Sequence, residues 1–404
     1  MRSSTRCLLT ALAAVAALAP TSTAPAAAAP SPSPSPAAGR DVTVLPPLPV
    51  RLGEGKPCTA PSERTATGGT WVAPALGLPR AQRLARGAGV TVAVVDSGVA
   101  PGTAGLSGRV TGAAEDCLGH GSFAASLIAA APRTDSGVTG VAPGAAVLAL
   151  PGTDARGVPS AALVAAGIRL AADRGADVIY TGAALPTGRA ELTGAVSYAT
   201  GKGALVVAPA APDALPEQDG GVQDTPPPSG PYWPAAAPEA LSVVDFGPSG
   251  TRPSGAPPAY RPDLAAPGDS MVGSGPGGKG HYIASGSSLA AADAAGAAAL
   301  VRERHPDLSP AQVAARLLRT AYPADVPRLD PYAALSLGTG TGSDQGTAAR
   351  AELPARTPEP ADTGPRNTAL AVFGVCLALV ALLGVMALVV PRGRARRWTP
   401  PGVG

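Results

Sequence analysis

Aromatic residues make up 3% of the 404-residue chain and charged residues 15%, where ordinary globular domains carry about 25% charge. The net charge of +3 forms no basic stripe, so no nucleic-acid surface is expected. No Gly-X-Y period runs through the sequence, which excludes a collagen-like fibre. There are three histidines, four cysteines and a single asparagine, Asn367. Two cysteines without a nearby Cys or His set do not make a zinc site. No loop clusters Asp, Asn and Glu in the manner of a calcium site, and no cofactor is expected.

What is abundant is small. Glycine (51) and proline (47) punctuate the chain, while 45% hydrophobic residues leave enough material for a core. The positive balance comes from the ends, at Arg2 and Arg6 and at Arg392, Arg394, Arg396 and Arg397. Arg2 and Arg6 precede an apolar run and then small residues through Ala29, the order of a secretory signal peptide over residues 1–29. Residues 369–390 are uncharged and long enough to span about 30 Å of hydrocarbon. Pro391 is expected to end that helix, and the four-Arg tail over 391–404 marks the cytoplasmic side. The expected arrangement is a single-pass cell-membrane protein with its bulk outside. Leu353-Pro354-Ala355-Arg356-Thr357 is a rival sorting signal, but it has one residue too many before Thr and no Gly after it. Cys7 falls in the signal and Cys376 in the span, leaving Cys58 and Cys117 in the exported part. An oxidising compartment favours a disulfide between them, with two free buried thiols as the alternative.

Between the ends, Pro-Ser repeats at 30–36 open an extended, Pro-rich extension over residues 30–70. A Pro/Gly/Thr-rich stalk is expected over 337–368. Residues 71–336 have a different texture. Continuous apolar runs at 91–95, 146–150, 176–179, 204–208 and 240–244 predict strands buried on both faces, as in a parallel sheet. Helical spacing at 120–131, 160–174 and 287–304 alternates with them. Ser309-Pro310 predicts an N-cap and N1 pair opening one more helix. This alternation is an α/β fold with a mostly parallel sheet.

Three short segments could carry chemistry. Val94-Val95-Asp96-Ser97-Gly98 ends a strand, where α/β sheets place their sites. Gly119-His120-Gly121-Ser122 and Gly286-Ser287-Ser288-Leu289-Ala290 each open a helix. Serine needs an adjacent base to become a nucleophile, histidine can take and return the proton, and a carboxylate fixes the histidine tautomer. Glycines let the backbone approach closely and turn into the helices. His281 is the one rival base near Ser288.

With Asp, His and Ser in this order, residues of about 70–335 resemble the subtilisin-like serine proteases, fold included. The resemblance extends to Gly140-Val141-Ala142-Pro143, to Asp263 through Gly268 and to His305 through Gln312. Asp116-Cys117-Leu118-Gly119-His120-Gly121, the signal, the stalk, the span and the basic tail are similar to the mycosins, membrane-anchored proteases of type VII secretion. The resemblance implies Asp96 as orienter, His120 as general base and Ser288 as nucleophile. It also implies Cys58 as the partner of Cys117, protein or peptide substrates, and type VII secretion membrane components as partners.

The sequence departs from the family in three places. The oxyanion-donating Asn of the family's Ala-Ala-Gly-Asn segment is expected at Pro212, which cannot donate. Gln218, Gln223 or a backbone N–H are the possible substitutes. Tyr180-Thr181-Gly182-Ala183-Ala184 replaces a substrate-lining Asn-x-Ser-Leu-Gly, and Ala292 replaces a Pro. Losing one oxyanion donor costs about 10²–10³ in turnover. Two readings follow: a serine endopeptidase of reduced activity, and a pseudoprotease serving as a structural subunit of a secretion complex.

Overall fold

The computed structural model describes residues 44–214, 230–337 and 364–395. The expected signal at 1–29, the Pro-Ser repeats, Gln218, Gln223 and residues 338–363 of the expected stalk lie outside the described residues. The chain forms two compact units, Met1–Leu337 and Gly338–Gly404.

In the first unit a seven-stranded sheet is built from β1 (Thr91–Asp96), β2 (Val110–Gly112), β3 (Ala146–Pro151), β4 (Val178–Thr181), β5 (Leu205–Pro209), β6 (Leu241–Phe246) and β7 (Leu264–Pro267). The strand order is β2-β3-β1-β4-β5-β6-β7, and every neighbouring pair is parallel. A separate antiparallel hairpin joins β8 (Met271–Ser274) to β9 (His281–Ala284). The helices are α1 (Val72–Ala75), α2 (Leu78–Ala81), α3 (His120–Ala129), α4 (Ala161–Asp173), α5 (Arg189–Gly201), α6 (Ser287–Arg304), α7 (Pro310–Thr320) and α8 (Pro331–Ser336).

Alternation along the strands divides the core. Val92 and Val94 of β1 join the apolar cluster containing α3 and α6, while Ala93 and Val95 join the cluster containing α4 and α5. Successive side chains of a strand point to opposite faces, so the sheet lies between two helical layers. The helix α6 is buried on all sides from Ser287 through Arg302. Its alanine-rich sequence allows that, since small side chains let a helix lie close against strands and neighbouring helices. At the start of α7, Ser309 accepts from the Gln312 N–H and Gln312 returns a bond to the Ser309 N–H, a complete capping box with Pro310 behind it.

The apolar runs lie in β1, β3, β4, β5 and β6, with ends shifted by one or two residues. Beyond those patterns lie the exposed edge strand β2, the strand β7, the short helices α1, α2 and α8, the mixed-polarity helix α5, and the hairpin.

The second unit contains α9 (Gly364–Ala395). Ala371–Arg392 is the one helical stretch among the described residues that is long and apolar enough to cross a membrane. Pro391, expected to end the helix, lies inside it. Proline removes one N–H donor and crowds the carbonyl one turn back, and the helix runs on past that local defect.

Candidate active site

The carboxyl ends of β1, β4 and β5 and the first turns of α3 and α6 converge on one cleft. β1 ends on Asp96, which is 2% exposed. Its carboxylate lies 2.8 Å (Oδ2) and 2.9 Å (Oδ1) from His120 Nδ1. It also accepts the Ser97 N–H at 2.7 Å and the buried Tyr180 hydroxyl at 3.3 Å. On the other side of the imidazole, His120 Nε2 stands 3.0 Å from Ser288 Oγ in the first turn of α6. With Nδ1–H donated to Asp96, the Nε2 lone pair faces the serine. The structure therefore brings Asp96, His120 and Ser288 into one hydrogen-bonded line. His281 is elsewhere, buried between the Ala66 N–H at 2.9 Å and Ser136 Oγ at 3.0 Å.

Local packing fixes this line. A Cβ on Gly121 would lie 2.0 Å from the Gly98 carbonyl oxygen, and one on Gly182 would lie 1.9 Å from Asp96 Oδ2. Only glycine lets α3 and the chain after β4 approach the end of β1 so closely. Asp116, itself buried, accepts from the Gly119 N–H (2.7 Å), the Ser122 N–H (2.8 Å) and the Ser97 hydroxyl (2.8 Å). Ser97 in turn accepts the Gly121 N–H at 2.9 Å. This carboxylate caps the turn carrying His120 and ties it to the segment after Asp96. The adjacent Cys117 is bonded to Cys58. Thr59 reinforces the link, donating its N–H to the Cys117 carbonyl and its hydroxyl to the Leu118 carbonyl.

The N-terminal extension also reaches the cleft. Pro47 pairs with Ile283 of β9, and Val50 and Arg51 line the cleft beside His120, Val158 and Ala183. Below Ser288, the Ser287 hydroxyl donates to buried Asp245 at 2.6 Å, and Arg252 donates to the same oxygen at 2.9 Å.

One expectation is overturned. Pro212, expected at the side-chain donor position, lines the cleft. The next residue, Asp213, holds the position over Ser288. Asp213 Oδ1 accepts the Ser288 N–H at 2.9 Å, and Oδ2 accepts its hydroxyl at 2.5 Å and lies 3.3 Å from His120 Nε2. In Ala210-Ala211-Pro212-Asp213 the aspartate follows an Ala-Ala pair at the spacing of the family's asparagine. The run of alanines and prolines from 208 to 212 gave no fixed point against a slip of one.

The electrostatics suit proton transfer to the histidine. Burial pulls the His120 imidazole down, but the Asp96 charge and the hydrogen bonds that the ring donates to Asp213 and Asp96 outweigh it and hold His120 well above its ordinary range. Burial pushes the Asp96 carboxyl up, and His120 with the Ser97 N–H brings it below the usual carboxylate range. Burial holds the Tyr180 phenol well above its ordinary range, so it stays a donor to Asp96. A base with a bound carboxylate on one nitrogen and a hydroxyl on the other can activate that hydroxyl as a nucleophile.

Residues 87–355 match the subtilase family, Peptidase_S8. Mycosin-1 of Mycobacterium tuberculosis is 30% identical, the match covering 82% of this chain and 88% of the relative. Mycosin-3 of the same organism is 32% identical over 80% of this chain and 83% of its own length. The crystal structure of MycP1 from Mycobacterium smegmatis superposes with a TM-score of 0.61 at 29% identity, covering 71% of this chain and 90% of that one. The chain thus belongs to the subtilase family of serine proteases, and the mycosins are among its relatives.

Proposed function

We propose that the chain is a membrane-anchored serine endopeptidase working outside the cytoplasm, with Asp96, His120 and Ser288 as its triad and with reduced turnover. The observation that carries this reading is the line from Asp96 through His120 to Ser288, at 2.8 Å and 3.0 Å. Ser288 Oγ attacks the peptide carbonyl while His120 takes its proton; His120 then protonates the leaving amine. Asp96 keeps Nδ1–H fixed and balances the imidazolium charge. Water repeats the sequence on the acyl-enzyme. The apolar helix Ala371–Arg392 and the basic tail support a single-pass anchor with a cytoplasmic C-terminus. A place beside type VII secretion components follows from the relatives, whose solved structures include a MycP1 described as an essential component of the type VII (ESX-1) secretion system.

A second reading, a pseudoprotease that serves as a structural subunit of a secretion complex, draws on Asp213. An acceptor-only carboxylate takes up both the Ser288 N–H and its hydroxyl, where a reacting carbonyl oxygen needs donors. Labelling of the purified full chain in detergent with a fluorophosphonate, from acid to alkaline pH, separates the two. Covalent label on Ser288 that is lost in Ser288→Ala supports the enzyme. No label at any pH, with the fold intact, leaves the structural subunit.

A further inference from the structure

Resting on the reading of Ser288 as nucleophile, the start of α6 bears on how that residue is aimed. Attack needs the Ser288 hydroxyl held in line with His120, and a misplacement of about 1 Å can cost about 10²-fold in rate. The helix start has no ordinary cap to fix it. Its N-cap is Gly286, which makes no side-chain hydrogen bond, where serine, threonine, asparagine or aspartate would accept a free N–H of the first turn. Side chains of other segments hold the turn instead. Asp213 takes the Ser288 N–H at 2.9 Å, and Ser287 gives its hydroxyl to Asp245 at 2.6 Å.

The contact to Asp245 is built by the sheet. Val243 of β6 packs in the cluster that contains α6. Two residues on, Asp245 lies on the same face of the strand, where it meets the first turn of that helix. It is 3% exposed. Arg252, in the loop after β6, donates from Nε at 3.1 Å and from Nη2 at 2.9 Å to Asp245 Oδ1, the same oxygen that accepts from Ser287. The guanidinium fixes the carboxylate and balances a charge that would otherwise be costly to bury. The turn after β7 completes the frame, with the Gly268 carbonyl accepting the Gly286 N–H at 2.7 Å. The end of a central strand therefore sets the rotation of residue 287, and residue 288 follows through the single peptide that joins them.

We propose that Asp245, clamped by Arg252, is a positioning residue for Ser288, acting through the hydroxyl of Ser287. It touches no reacting atom. It sets the direction in which Ser288 Oγ meets His120 Nε2, at 3.0 Å. Without it, the first turn can pivot about Gly286, and fewer molecules hold the line from Asp96 to Ser288 at any moment. Bond formation at Ser288 slows, while the affinity of the cleft, set by its other walls, stays as it was.

The test uses the full chain in detergent and follows fluorophosphonate labelling of Ser288 at a series of probe concentrations, which separates the maximal labelling rate from the half-saturating concentration. Ser287→Ala should lower the maximal rate by about 10-fold or more, with the parent's half-saturating concentration and melting transition. Ser287→Thr keeps a hydroxyl and should recover most of the loss. Asp245→Ala should be as slow as Ser287→Ala, and the double variant no slower than either, because each single change removes the same contact. A Ser287→Ala chain that labels at the parent's maximal rate overturns the proposal. So does a Ser287→Thr chain as slow as Ser287→Ala, and so do losses that multiply in the double variant. A slower Ser287→Ala whose melting transition and half-saturation have moved with the rate overturns it in favour of a purely structural role. A parent that keeps the Cys58–Cys117 bond and its melting transition yet never labels removes the protease reading itself, and this inference with it.

Discussion

Replacing Asp293 with asparagine should change how stability depends on pH. Asp293 lies in α6, is 1% exposed, and its Oδ2 has no hydrogen-bond partner. Burial pushes this carboxyl well above the ordinary carboxylate range. In the unfolded chain the group ionises near the ordinary value of about 3.9. Above that pH the folded protein still holds the proton that the unfolded chain has lost, so unfolding releases a proton. Stability then falls as pH rises, by up to about 1.4 kcal/mol per pH unit from this one residue, until pH passes the folded value. Over two pH units within that window the loss is about 3 kcal/mol, a large share of the 5–15 kcal/mol or so typical of a domain. Asparagine has the same shape and cannot ionise. Urea unfolding at a series of pH values, followed by tryptophan fluorescence, should show Asp293→Asn near the parent at acid pH. The variant should then pull ahead by about 1.4 kcal/mol per pH unit. Parallel curves for the two proteins from acid to neutral pH would refute the reasoning, because Asp293 would then titrate alike in both states.

The Cys58–Cys117 bond closes a loop with a sequence separation of 59, for which the chain-entropy relation gives about 4 kcal/mol. Cys58→Ser with Cys117→Ser should lower the urea midpoint accordingly, and reductant should do the same to the parent but not to the variant; an unchanged midpoint would show that the cross-link adds nothing. For the membrane topology, protease added to cells stripped of their wall should remove the domain and spare a tag after Gly404, and loss of the tag would show an inverted chain.

Parts of the molecule were legible in the sequence because one physical rule determined them. The strands β1, β3, β4, β5 and β6 appear as unbroken apolar runs because each is covered on both faces. Asp96, His120 and Ser288 stand out because glycines flank the turns that carry them and histidine is scarce. Asp116 and Asp245 gave no such signal. Asp245 acquires its role from Ser287, far from it in sequence, and Asp116, though it accepts from Gly119 and Ser122 close by, is tied to the segment after Asp96 only through Ser97. Asp213 lay hidden differently. Its local segment carried the pattern, but alanine and proline on every side left the register undetermined until Ser288 was seen beneath it. The edge strand β2 is three residues long and mostly exposed, too short for any periodicity.

The burial of α6 has a consequence for the order in which the chain is made. Synthesis runs from the N-terminus, and the centre of the sheet, β1, β3 and β4, comes early. The helix that, together with α3, covers one face of it, residues 287–304, comes late. Until those residues leave the ribosome, Val178, Val207 and Val243 of β4, β5 and β6 lack their helical cover, a surface that invites aggregation. The same stretch carries Ser288. A nascent chain therefore gains its serine hydroxyl and its closed core in one event. Chains cut short before residue 287 have neither, so partial products should be insoluble rather than weakly active.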